Sequence, residues 1–520
     1  MKHNLQELIL KNCPRLFSAI DQNEFSVNFG CFNRDFWHYK IEKDFPSSIF
    51  QTGVWPMAML YKNNFTGNLY FQKQKTLNLI LAGLDFWCRI QGKNGSFVEW
   101  FPGETSHVAT AFTTFAVSET VLLLGQEVPK PLKRKVLKSL VKAGRWLSKN
   151  PDLKVLNHTV GALVALHNLY LLTRKKEFQT ASLKHLNLLL SVQTEEGWFP
   201  EYGGADLGYQ SLSVFFLAKY WQKTNDLRAF KALEKAINFM SYFIHPDGSY
   251  GGEYGSRGTK FLMPAGLQIM VGYLPQAEII LSRWVPFDSC DDRYLIFFFL
   301  GNWLEGFLLK KKIKKERWIR GNFSKNFSEA GIRVEKTKNL YFVFAYKKNG
   351  VLKVFKNKKL VFSDTGWWGR LKDGRTITSQ WFNQNQDLEI KTRFCYFQEP
   401  LLGPKIIFFR LFNWTLGKNS FFSSLFADWV KRNRIMKAKT LPVFLARRLV
   451  RKNDKIFLED EIVLGKNIFL SSLKTSQNLS QRFTPTGAFF HPSDLLGEES
   501  LDLAVEANRK RKIQISQRVI

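Results

Sequence analysis

Residues 194–213 read TEEGWFPEYGGADLGYQSLS, and this one connection between two apolar patterns holds four glycines, four acids and four aromatic residues. Two other stretches share its layout: IQGKNGSFVEWFPGE (90–104) and IHPDGSYGGEYGSRG (244–258). Each has a glycine, then an aromatic, then a glutamate followed directly by Trp or Tyr. The series are Gly95, Phe97, Glu99, Trp100; Gly197, Phe199, Glu201, Tyr202; and Gly248, Tyr250, Glu253, Tyr254. The glycines stand 102 and then 51 residues apart, one repeat length and its double.

Apolar or amphipathic segments keep the same step. They begin near Gln51, Ser106, Asn157, Tyr209 and Phe261, each followed by a second, such as 69–91, 130–149, 177–193 and 226–243. A unit of this length holds two helices and two connections, so it is a helical hairpin. Hairpins in series bury their remaining faces by stacking or by closing a ring. Five to six of them fit in residues 1–315, which predicts an (α/α) toroid with the glycine-rich loops at one mouth. The apolar run 294–309 carries Asn302 and Glu305 and is too short to span a bilayer, so it reads as a buried helix.

Past residue 318 the pattern becomes short runs separated by turns: LYFVFAY, GVLKVF, KKLVFS, KIIFFRLFNW, KIFLEDEIVL and KNIFLSSL. The expectation is an antiparallel β-sandwich over 320–520, joined to the toroid by the basic segment 310–318, which makes the chain an α+β two-domain protein.

The net charge is +32, and residues 301–520 carry 43 Lys and Arg against 19 Asp and Glu. A polyanionic partner suits such a surface, although an AT-rich coding sequence gives similar lysine enrichment. Acid-bearing aromatic loops and the lack of a recognised module argue against nucleic acid. Five scattered cysteines form neither a disulfide framework nor a zinc pattern. No cofactor fingerprint or metal motif is visible, so the expectation is no cofactor. Without a cleavable leader pattern or a membrane-spanning run, the expected location is cytoplasmic.

The residues at the predicted mouth are Trp100, His107, Asn157, His158, Glu201, Tyr202, Tyr209, Gln210, Glu253, Tyr254 and Arg257, all near repeat-equivalent helix starts or in the glycine loops. Simpler roles suit several of them. Asn157 fits a helix N-cap, Tyr209 a core position, and Glu99, Glu201 and Glu253 structural acids of the repeat.

NHTVGALVALHNLYLL (157–172) followed by LNLLLSVQTEEGWFPEYGGADLGYQ (186–210) resembles the heparinase II/III-like polysaccharide lyases. RRLVRKNDKIFLEDEIVL (447–464) looks like a strand pair of that family's β domain. The resemblance implies a toroid followed by a β domain, an acidic polysaccharide or oligosaccharide as partner, and β-elimination or C5 proton abstraction at a uronic acid. It also implies roles: Asn157, with Arg257 or Gln210, donates to the carboxylate; Tyr209, or else Tyr254, moves the proton; and His158 or His107 completes the acid–base pair. Trp100, His107, Glu201, Tyr202, Gln210 and Glu253 would line the substrate. One departure is plain. The segment FSDTGWWGRLKDGRTITSQWF (362–382), where the family carries a further catalytic histidine, has none, and His491 is the sole histidine of the β half. A glycoside hydrolase using two carboxyls (Glu201 with Asp206, or Glu104 with Glu253) and a non-catalytic glycan-binding protein are the alternatives.

Overall fold

The computed structural model describes residues 5–39, 43–286, 290–311, 321–381, 389–397, 404, 406–430, 433, 439–452, 455–477, 479–480 and 501–520. The first helices are α1 (Leu5–Ala19), α2 (Val54–Lys62), α3 (Gln74–Arg89), α4 (His107–Leu124), α5 (Lys130–Lys149) and α6 (Leu156–Thr173). They are followed by α7 (Lys176–Val192), α8 (Leu207–Thr224), α9 (Leu227–Met240), α10 (Pro264–Met270), α11 (Pro275–Arg283), α12 (Asp292–Tyr294) and α13 (Leu300–Leu308). Helices α2, α4, α6, α8, α10 and α13 each touch the next, and α13 touches α2, so the inner ring closes. Helices α1, α3, α5, α7, α9 and α11 lie outside it.

The division of labour follows from composition. Helices α4, α6 and α8 are apolar on nearly every face, and each buries 13 of its 18 residues. Outer α5 buries only Val136, Ser139, Leu140, Ala143, Gly144 and Leu147, one stripe at helical spacing. The ring has a packed centre: Trp55 of α2 lies 5.2 Å from Phe115 and 6.0 Å from Phe215, ring centre to ring centre. Deeper in, Lys219 binds Glu119 at 3.3 Å and Glu305 at 2.5 Å, while Lys223 binds Glu119 at 2.6 Å. The apolar stretch His107–Glu127 is long enough to cross a membrane, yet 78% of its most apolar window is buried inside this ring. Residues 294–309 are helical and buried, as expected.

The repeat glycines explain the loops. Gly95, Gly197 and Gly248 have φ of 95°, 99° and 91°. A Cβ at these positions would lie 2.5 Å from the Lys142 carbonyl oxygen, 2.3 Å from that of Lys235 and 2.7 Å from that of Arg283. Each loop thus needs a left-handed residue and lies directly on the backbone of an outer helix. A glutamine braces two of them: Gln91 Nε2 donates to the Gly95 and Ser139 carbonyls, and Gln193 Nε2 donates to those of Gly197 and Ala232.

The β region has two antiparallel sheets. The first holds β1 (Phe323–Phe327), β2 (Ile332–Lys336), β3 (Leu340–Ala345), β4 (Val351–Lys356) and β5 (Lys359–Asp364) in sequence order. The second holds β6 (Trp367–Leu371), β7 (Thr376–Thr378), β8 (Glu389–Tyr396), β9 (Thr440–Lys452), β10 (Lys455–Leu464), β11 (Leu470–Thr475) and β12 (Lys512–Arg518), in the order β11-β6-β7-β8-β9-β10-β12.

Strand alternation sets the layers. Tyr341, Val343 and Phe355 join the toroid core, and the Tyr341 hydroxyl donates to the Tyr242 carbonyl at 2.7 Å. Their neighbours Phe342, Phe344, Leu352 and Val354 pack instead with Ile390, Leu449 and Leu458 of the second sheet. Strands β3 and β4 are therefore buried on both faces, which is why they read as nearly continuous apolar runs, whereas β1 and β5 are more exposed. Arg447, fully buried, spans Asp364 at 2.6 Å and Asp460 at 2.7 Å, and Trp367 Nε1 donates to Asp460.

The run KIIFFRLFNW corrects the strand expectation. Ile406–Trp414 is helix α14 and Ser420–Val430 is helix α15, a hairpin inserted between β8 and β9; Ala504–Lys510 forms α16. The run has no alternation to commit it to a strand, and a short continuous apolar stretch does not separate the two states. The 310–318 linker lies outside the described residues except for Lys310 and Lys311, and so does His491.

Candidate active site

The N-termini of α4, α6 and α8 open at the same end of the ring, with the glycine loops over them. The partly buried side chains there are His107, Asp152, His158, Tyr202, Tyr209, Arg293 and Phe297, beside the exposed Trp100. His158 Nδ1 lies 3.0 Å from Asp152 Oδ2, so the carboxylate orients the ring. Asp152 is itself fixed, because its Oδ1 accepts the Lys154 and Val155 backbone N–H groups. The His107 ring stacks on that of His158 at 6.1 Å. Tyr209 meets Phe261 edge-on at 5.9 Å.

Two arginines frame this mouth. The Arg293 guanidinium binds Glu99 at 2.5 Å and lies over Trp100 at 4.3 Å. Arg257 is 8% exposed, lies over Tyr202 at 4.1 Å, and has no carboxylate partner among the described residues. Its Nε is buried without a hydrogen bond. Asp206 places it: one carboxylate oxygen accepts the Arg257 backbone N–H at 2.9 Å, while the other accepts the Tyr209 N–H and the Thr259 hydroxyl. A buried guanidinium with no counter-charge favours an anion beside it. The Tyr202 phenol is raised by burial, an effect that Arg257 opposes and that Tyr209, Glu201 and Asp152 reinforce, so these five groups form one neighbourhood.

Beneath lies a buried layer. Asn157 is fully buried and is not the N-cap, a place held by Val155. Its backbone N–H and its Nδ2 both donate to Glu201 Oε1, at 2.9 and 2.8 Å. Glu201 is also fully buried, and burial pushes its carboxyl up to about 8 against the two Asn157 bonds, with Asp206 and Asp152 adding to the rise. Gln210 Oε1 accepts the Phe199 N–H and its Nε2 donates to the Gly197 carbonyl, so its amide is used in holding the loop.

Glu253 is 1% exposed, between Lys260 at 2.6 Å and Lys353 of β4 at 2.7 Å. Burial would raise its carboxyl, but the two lysines outweigh that and hold it below the usual range. Tyr254 is 1% exposed, with its hydroxyl 3.0 Å from His245 Nε2, and burial raises the phenol well above its usual value. The mouth therefore gathers Trp100, His107, His158, Tyr202, Tyr209 and Arg257. Asn157, Glu201, Gln210, Glu253 and Tyr254 lie in the packed layer below or beside it.

Sequence reasoning missed Asp152 and Arg293. Asp152 sits six residues before His158, a spacing that could have suggested the pair, whereas nothing local marks Arg293, which arrives from 194 residues beyond Glu99. Among the described residues no group of His, Cys, Asp and Glu is arranged to hold a metal ion. The stretch 362–381, where the family's histidine is missing, serves the β core through Asp364 and Trp367.

A closed six-hairpin ring followed by antiparallel sheets is a fold shared with polysaccharide lyases. The xanthan lyase of Paenibacillus aligns with TM-score 0.51 and 12% identity, over 90% of this chain and 46% of its own. The Streptomyces coelicolor A3 chondroitin AC lyase aligns with TM-score 0.55 and 10% identity, over 91% of this chain and 68% of its own. The heparan sulfate lyase of Pedobacter heparinus aligns at 10% identity and TM-score 0.40, over 92% of this chain and 71% of its own. This chain thus spans less than half the length of the xanthan lyase. More particularly, residues 50–266 match the family model described as the ulvan lyase N-terminal domain. The resemblance to toroidal polysaccharide lyases read from the residues is borne out by that match and by the fold. A comparison with curated proteins gives no match.

Proposed function

We propose that the protein is a polysaccharide lyase acting on uronate-containing chains by β-elimination. The observation that carries this is Arg257, a buried guanidinium beside Tyr202 without a carboxylate partner among the described residues, at a mouth that also presents Tyr209 and the Asp152–His158 pair. A uronate carboxylate fills the vacant charge position, and its pairing with Arg257 stabilises the enolate-like state that forms when C5 loses its proton. Arg257 takes the place in this role that the resemblance gave to Asn157, whose amide is committed to Glu201.

Tyr209 accepts the C5 proton. The C5–H electron pair forms the C4–C5 double bond, the C4–O bond breaks, and the leaving oxygen takes its proton from His158, whose ring Asp152 orients. Trp100 and Tyr202 offer faces for sugar rings. We place the enzyme in the cytoplasm of a bacterium, which cell fractionation would test.

The hydrolase alternative is weakened by the acids. Glu201, Asp206 and Glu253 are at most 1% exposed and engaged, and Glu104 accepts the backbone N–H groups of Glu99 and Trp100. Hydrolysis needs two carboxyls free to flank a sugar, and these acids are held by their own partners.

The test is ultraviolet absorbance of the unsaturated uronate product during incubation with a panel of uronate polysaccharides. Wild type should produce it, and Tyr209→Phe and Arg257→Ala should each lower the rate by about two orders of magnitude or more. Reducing ends appearing without the unsaturated product would overturn the lyase assignment in favour of hydrolysis. Isotope exchange at C5 without chain cleavage would instead establish proton abstraction in an epimerase.

A further inference from the structure

The α14–α15 hairpin is apolar on two opposite faces. Its inner face packs on the rim of the toroid mouth: Phe409 and Phe426 lie 6.5 and 5.9 Å from Phe101, and Phe412 lies 4.7 Å from Phe426. Thr105 Oγ1 and Ser424 Oγ are 3.2 Å apart, and Lys154 reaches Asp428 at 3.7 Å. A Cβ at Gly103 would run into the Gly417 carbonyl oxygen, so the contact is close.

The outer face is open. On α14, Ile407, Phe408, Leu411 and Trp414 are 50–74% exposed and recur at helical spacing. On α15, Phe421, Leu425 and Trp429 do the same at 52–65%. Such a stripe, directed away from the anchored face, is far more than scattered surface hydrophobics, and it marks an interaction surface. Residues 405–439 also hold eight Lys and Arg against one acid, Asp428, and Lys154 takes up that acid.

We propose that this hairpin docks the enzyme on an anionic lipid bilayer, with its outer face in the headgroup region. Interfacial helices combine these features: bulky aliphatic and aromatic residues on one face, tryptophans at the boundary, and a cationic surround. The other occupants fit less well. A second copy would bring like charge against like, because the segment's sequence holds eight cations and one acid. An acidic glycan would answer the charge and leave the aliphatic Ile407, Leu411 and Leu425 in water. Docking through this hairpin holds the toroid mouth, whose rim it packs against at Phe101 and Thr105, beside the membrane. The proposal is independent of the chemistry assigned to the mouth.

The experiment is flotation of the full chain with vesicles of phosphatidylcholine alone and of phosphatidylcholine mixed with phosphatidylglycerol. The comparison protein is Phe408→Ser/Trp414→Ser/Trp429→Ser, whose changes lie on exposed positions. Wild type should float with the anionic vesicles, less so at high salt, and the triple variant should lose about tenfold or more in partitioning while keeping its circular dichroism and melting temperature. Binding left unchanged in the triple variant, or absent in wild type, would overturn the proposal. A wild-type dimer that the triple variant makes monomeric would overturn it in favour of a second copy.

Discussion

Glu201→Gln separates structure from chemistry at this mouth. The carboxyl is fully buried, and burial raises it from its ordinary 4.5 to about 8. The unfolded chain therefore releases this proton first as pH rises. Stability from Glu201 is fully present below about pH 4.5 and is lost as pH rises through the folded value near 8. At about 1.4 kcal/mol per unit, the wild type gives up about 3 kcal/mol between pH 4.5 and 7 through this group, and about 4 by the folded value. Glutamine keeps an acceptor for both Asn157 donors and does not titrate. Its amide N–H groups add a pH-independent cost of about 1–3 kcal/mol.

Urea titrations of both proteins at several pH values between about 4.5 and 8.5 would give the difference in unfolding free energy. The variant should gain on the wild type by about 3 kcal/mol from pH 4.5 to 7. A difference that stays flat within about 0.5 kcal/mol would refute the reasoning, because the carboxyl would then ionise in the folded state as easily as in water. The same variant should retain lyase turnover, since Glu201 acts by holding Asn157, whereas a hydrolase relying on this carboxyl would lose activity.

Two further outcomes follow from the packing. Gly197→Ala combines a φ of 99° with a Cβ 2.3 Å from the Lys235 carbonyl oxygen, and should cost about 2–4 kcal/mol in chemical denaturation. A loss below about 1 kcal/mol would show that the loop can lift off α9. Lys353→Met removes one of the two cations on buried Glu253, and should destabilise by about 3 kcal/mol near neutral pH. Because the folded Glu253 carboxyl is depressed, its contribution is present above the ordinary carboxylate range and fades as pH falls, so the gap between variant and wild type should narrow in acid. A gap that widens in acid would contradict the pairing.

The sequence by itself determined the 51-residue step, the helical hairpins and the shared mouth. Gly95, Gly197 and Gly248 answer a local backbone requirement, and local requirements leave local marks. The paired apolar strands past residue 320 were legible for the same reason. Tertiary structure alone decided the state of 406–414, because a short apolar run takes its conformation from what it packs against, here Phe101 of a distant loop. It alone also decided which polar groups reach solvent. Glu253 and Tyr254 share the repeat position of Glu201 and Tyr202, yet the first sheet covers that one repeat, with Lys353 binding Glu253 and Tyr341 reaching Tyr242. Asn157 opens an inner helix as a substrate-binding residue would, but Glu201, 44 residues on, takes its amide. Burial and ion pairing are set by neighbours far apart along the chain, and no local pattern records them.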